Sequence, residues 1–155
     1  MAEAERSLIA HKYWQQADER FDYFITGVTG AMCAYLVQTM TINPISFSPN
    51  SLELAGLAVL LISTYLGIKR IETAIGLHRS NFQMLHDQEV AAVARKDGLL
   101  DVAKYHDNHY KSVKDAADGR VIWLNRFTVW RNGALVCGVL LIVAAKVWAA
   151  YYFQT

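Results

Sequence analysis

The sequence predicts an all-α integral membrane protein: three transmembrane helices and a long cytoplasmic helical hairpin, in an oligomeric assembly. Three observations carry that expectation. Residues 51–68, SLELAGLAVLLISTYLGI, hold one formal charge, Glu53; residues 21–40 hold only Asp22, and residues 132–153 only Lys146. A bilayer core of roughly 30 Å is crossed by about twenty mostly apolar residues in a helix, and each stretch meets that length. Finally, of the 15 Lys and Arg residues, Lys146 alone falls outside residues 1–20 and 69–131. The excess of basic residues on cytoplasmic segments then places residues 1–20 and 69–131 inside, with the connecting loop and the carboxy-terminal end outside. The expected location is the cell inner membrane, multi-pass, amino terminus cytoplasmic.

Taken in order, residues 1–20 contain good helix formers and no breaker, and read as a cytoplasmic or interfacial helix that lies on the membrane or feeds straight into the first span. They lack the apolar core and small-residue cleavage site of a signal peptide. Trp14, Phe21, Tyr23 and Phe24 suit an interfacial aromatic belt. In the first span, 21–40, Gly27 with Ala31 and Gly30 with Ala34 are small-xxx-small pairs that let two helix backbones approach closely. Residues 41–50 form an uncharged extracytoplasmic loop holding both prolines, Pro44 and Pro49, which cannot continue a helix.

The second span, 51–68, ends at Lys69 and Arg70, where water returns. Residues 69–131 read as a cytoplasmic helical hairpin. Ile71, Ile75, His78, Phe82 and Leu85 recur at helical spacing on one arm; Ala103, His106, Tyr110, Val113, Ala117, Val121, Leu124 and Thr128 do so on the other. Lys96, Asp97 and Gly98 supply the turn, Gly98 being able to take the left-handed conformation that ends a helix. Asp118 and Gly119 mark a second break signal, a kink in the returning arm. The last span, 132–153, closes with Trp148, Tyr151, Tyr152 and Phe153, an outer aromatic anchor near which Lys146 can snorkel. Arms showing more apolar surface than each covers for the other require neighbouring subunits, hence the expected homo-oligomer.

Composition narrows the function. At 155 residues with 54% hydrophobic side chains the chain has room for one structural unit, rich in apolar surface for a soluble domain. A net charge of +1 argues against general nucleic-acid binding. Cys33 and Cys137 both fall inside apolar spans, where a thiol packs as a small hydrophobe. No Walker motif, GxGxxG, CxxC pair or nucleophile elbow is present, so neither an enzyme nor a cofactor is expected. Asp22 and Glu53 sit at span ends, which argues against a proton-coupled transporter.

Three constellations remain. Antiparallel arms turning near Asp97 bring His86 level with His109, and Glu89 level with His106, with Asp87 and Asp107 close by. Such a cluster of imidazoles and carboxylates is either a zinc site or a hydrogen-bonded polar layer; the second is the ordinary outcome, and no metal is expected. Arg79 and His86 lie seven residues apart on one helix face; the pair resembles the R-x(4 to 6)-H motif of HEPN-type ribonucleases, although an ordinary solvated helix face is the favoured explanation and the segment is smaller than that fold. Thr26, Thr29 and Cys33, with Gln38 near the outer end and Lys146 at the outer mouth, are the candidates for lining an aqueous path in a ring of subunits. Hydroxyls bonded to their own helix and packed between helices are the structural alternative.

The layout of an amino-terminal helix, two spans joined by a short outer loop and a long cytoplasmic helical extension resembles the SLATT-type membrane effectors of bacterial anti-phage systems. The Arg79 and His86 pair is similar to one in the membrane accessory protein of type VI-B CRISPR systems. The third span departs from the two-span SLATT plan. The resemblance implies an oligomer that permeabilises or depolarises the inner membrane when a cytoplasmic protein or signal acts on it. A non-conducting scaffold docking a soluble partner through its hairpin is the alternative from a different class, and a HEPN-like ribonuclease a third.

Overall fold

The computed structural model describes residues 2–40 and 48–152, with side chains described from 20 to 40 and from 48 to 151. The chain is all-helical, built from α1 (Ala2–Thr39), α2 (Pro49–Lys96) and α3 (Leu100–Tyr152). Among the described residues two helices, α2 and α3, are long and apolar enough to cross a membrane. The span expected in α1 is diluted by Gly, Thr and Gln between Thr26 and Thr39. Most of the proline loop, including Pro44, lies outside the described residues, as do Phe153 and the side chains of Trp14 and Tyr152.

Local chemistry sets the helix ends. α2 starts at Pro49 rather than after it. A first-turn proline loses nothing by lacking an N–H, and its fixed φ suits a helix start. Ser51 completes the cap: its Oγ accepts from the Ser48 N–H at 3.2 Å and donates to the Ser48 carbonyl at 2.7 Å. At the other end Gly98 has φ +74°, as the sequence anticipates. The Leu99 N–H reaches the Ala94 carbonyl at 2.8 Å, and the Gly98 N–H that of Arg95 at 3.3 Å, the bond pattern of a Schellman stop. α1 runs on from the amino-terminal segment straight into the first apolar stretch, one of the two arrangements expected of it. α3 continues as one helix through Asp118 and Gly119, where the sequence carries its second break signal. A lone glycine costs a helix only about 1 kcal/mol, which the flanking contacts of Ala117 and Arg120 offset.

The chain divides into two compact units, residues 1–71 with 128–155, and residues 72–127. In the first, Cys33, Leu36, Leu57 and Leu60 form the core, with Met32, Leu135, Val139 and Ile142 packed against it. α2 and α3 approach backbone to backbone at Gly56 and Gly138. A Cβ on Gly56 would come within 2.7 Å of Ile142 Cγ1 and 3.1 Å of the Gly138 carbonyl; one on Gly138 would meet Leu60 at 2.8 Å and the Gly56 carbonyl at 3.2 Å. The glycines that bring backbones together are therefore Gly56 and Gly138. A Cβ on Gly27 would have no atom within 4 Å, and one on Gly30 would meet only Thr64 at 3.9 Å; Ala31 and Ala34 are exposed.

The second unit is an antiparallel hairpin with a seam of small residues: Ser80, Ala91 and Ala94 of α2 against Ala103 and Ala117 of α3, with Asp87 buried among them. The returning arm presents the expected face, since Ala103, His106, Tyr110, Val113, Ala117 and Leu124 are buried or half-buried, though Val121 is exposed. On the outgoing arm the expected face is corrected. Ile75, Phe82 and Leu85 are exposed, at 58, 73 and 59%. Small side chains let two helices approach closely, and the larger residues at the same spacing are displaced outward.

Candidate functional site

Each unit carries one buried polar constellation, and each helix of the first unit contributes one charge to its own. Asp22 of α1 receives Arg131 of α3, Nη1 to Oδ1 at 2.7 Å, and also pairs with Arg70 of α2. All three side chains are buried. Arg70 Nε donates to Thr128 Oγ1 at 2.7 Å, Arg131 Nε to Asn132 Oδ1 at 3.1 Å, and Ser63 Oγ to the Arg131 carbonyl at 3.0 Å. One carboxylate shared by two guanidinium groups thus ties the three helices together. Along the same unit, Lys146 Nζ meets Glu53 Oε1 at 2.7 Å, a further tie between α3 and α2.

The pore-lining candidates lie in the same unit. Thr29 is buried and donates to the Ile25 carbonyl at 2.7 Å. Cys33 is buried, its Sγ 4.0 Å from Thr64 Oγ1. Thr26 Oγ1 is buried without a hydrogen-bond partner, seated over Gly67, where a Cβ would come within 2.5 Å of it. Gln38 is exposed, and Lys146, though 61% exposed, is held by Glu53. Thr26 and Cys33 thus meet α2, at Gly67 and Thr64, whereas Gln38 and Lys146 are exposed. Sequence reasoning placed Asp22 and Arg70 at span ends without pairing them; three single charges at corresponding ends of three apolar stretches was the available signal.

In the second unit the hub is Asp87. His106 Nδ1 lies 2.8 Å from its Oδ1 and His109 Nδ1 2.5 Å from its Oδ2. Burial pushes the Asp87 carboxyl up, but the hydrogen bonds and charges of His106 and His109 outweigh it and hold the group below its ordinary value. An ionised carboxylate only accepts, so each imidazole donates to it from Nδ1. Tyr105 stacks over His109, with centroids 6.4 Å apart, and meets His106 edge-on at 5.3 Å. Arg120 adds a second tie, donating to the Gly76 carbonyl at 2.9 Å and to Ser80 Oγ.

The chain matches no family model, no curated protein and no solved structure. Site chemistry therefore rests on these residues alone. The structure brings His106 and His109 together on Asp87, but His86 is exposed and lines a groove of about 420 Å³ near the turn, with Glu89, Val93, Leu99 and Val102. Arg79 is exposed as well. Among the described residues, no group of three or more His, Cys, Asp or Glu is arranged to hold a metal ion. The arrangement of Asp87 with two imidazoles is a hydrogen-bonded layer that fixes the register of the arms.

Proposed function

We propose that this chain is a three-span inner-membrane protein, amino terminus inside, that assembles with copies of itself and docks a soluble partner through the hairpin of residues 72–127. The observation that carries this reading is the alanine seam. Two arms that meet through Ala91, Ala94, Ala103 and Ala117 cover little of each other, and Phe82, Leu100 and Tyr105 stay 73, 71 and 67% exposed. A soluble segment with that much uncovered apolar surface calls for a partner. The membrane location is supported by the apolar windows of α2 and α3, of which only 33% and 11% is buried within the chain; a core helix of a soluble protein would be covered. The paired charges support a first span in α1, since Asp22 meets Arg70 and Arg131 rather than lipid.

The same pairings favour a non-conducting scaffold, because the charges of the spans are directed at one another and the Thr29 hydroxyl at its own helix. A second reading, a pore-forming or membrane-perturbing effector, is favoured by one observation: α1 leaves Gly27, Ala31, Ala34 and Gln38 exposed, a small face with one polar side chain that neighbouring subunits could bring around an axis. Purified protein in dye-loaded liposomes separates the two. No leakage and no single-channel current is the expected result; current that disappears on Gln38→Leu would establish the pore.

A further inference from the structure

We infer that copies of this chain associate through the hairpin by a heterologous contact, the outward face of α2 in one copy against the outward face of α3 in the next. The inference rests on the three-span reading above and specifies its partner. Hairpins packed side by side and pointing the same way set the α2 arm of one copy antiparallel to the α3 arm of the next, at the same levels as the two arms within a chain.

Those levels are fixed by the contacts of Asp87 with His106 and His109 and of Ser80 with Arg120. On α2 the exposed side chains Ile75, Arg79, Phe82, Glu89 and Lys96 recur at helical spacing; on α3, Asp101, Lys104, Lys111, Asp115, Asp118 and Ile122 form a matching exposed stripe. At equal levels Ile75 meets Ile122, Arg79 meets Asp118, Glu89 falls between Lys104 and Lys111, and Lys96 meets Asp101. Phe82, His86 and Val93, exposed on the same α2 stripe, make no such pair: they are level with Asp115, Lys111 and Lys104. Each α2 charge in this register meets the opposite sign on α3, whereas α2 beside α2 in the same direction sets Arg79 against Arg79. Complementarity of this kind fixes partner and register. Because the two faces differ, each copy offers one of each, and the contact propagates beyond a dimer.

The test uses the full chain in membranes, with Cys33→Ala and Cys137→Ala as background. Arg79→Cys combined with Asp118→Cys should give, on oxidation, a ladder of dimers, trimers and larger species that neither single cysteine gives. The charge reversals Arg79→Asp and Asp118→Arg should each reduce the assembly mass at least twofold, and their combination should restore it. If lysine-directed cross-linking still yields multimers but no ladder forms, this interface is overturned and the oligomer stands. If neither yields multimers, the oligomer reading fails with it. Disulfide-linked dimers from Arg79→Cys alone, with none added by Asp118→Cys, would assign the contact to two α2 arms and overturn the proposal.

Discussion

Asp22 is the residue on which the first unit is most exposed to change. Removing one partner of a buried ionic group leaves charge without compensation, at a cost of about 3–5 kcal/mol, while replacing the whole set by apolar side chains is often neutral. Asp22→Asn should therefore destabilise the protein in detergent by that amount. Asp22→Leu combined with Arg70→Met and Arg131→Met should recover most of it; thermal unfolding followed by circular dichroism measures both. Asp87 sets a pH dependence in the second unit. Its folded pKa lies below its unfolded value, so the stabilisation is complete above about pH 4 and is lost as pH falls through the lower folded value. Hydrogen exchange of amides between residues 80 and 120 should show protection falling in that acid window, and Asp87→Asn should flatten the profile. Of these two hubs, the histidine layer was legible in sequence at the level of which stretches meet. Its centre was not, because a one-position rotation exchanges exposed His86 for buried Asp87.

At the scale of elements, boundaries set by backbone chemistry were readable and faces set by packing were not. Gly98 follows from what only glycine tolerates, and Gly98→Ala should destabilise the hairpin by about 1 kcal/mol, seen as a lowered midpoint of thermal unfolding. The crossing of α2 and α3 makes a sharper comparison. Gly138→Ala drives a Cβ against Leu60 and the Gly56 carbonyl, which should cost about 1–3 kcal/mol. Gly133→Ala, with no atom within 4 Å, should be neutral or stabilising by up to about 1 kcal/mol; the two unfolding midpoints must therefore move differently. Sequence spacing pointed to Gly27 and Gly30 because small-xxx-small pairs are visible within one helix, whereas Gly56 and Gly138 are 82 positions apart and become a pair only when the helices cross. For the same reason the large apolar residues of the outgoing arm looked like its inner face. Periodicity reports that a stripe exists, and side-chain volume decides which stripe the partner helix accepts.

At the scale of the whole molecule, the all-helical class and two apolar rods long enough for a bilayer were readable from charge spacing alone, since a run of some twenty residues with one charge has few other uses. A cysteine placed near Gly98 in an otherwise cysteine-free chain should react with membrane-impermeant reagent only after the cytoplasmic side is opened; labelling in intact cells would invert the proposed topology. The shared carboxylate has a consequence for how such a chain is made. In the proposed three-span topology α1 leaves the ribosome before α2 and α3, with the weakest claim of the three on lipid, and the guanidinium that would complete its anchorage belongs to residue 131, more than a hundred positions later. Until synthesis passes that point the leading helix is held provisionally, so truncation just short of Arg131 should release it to proteolysis while the second helix stays inserted.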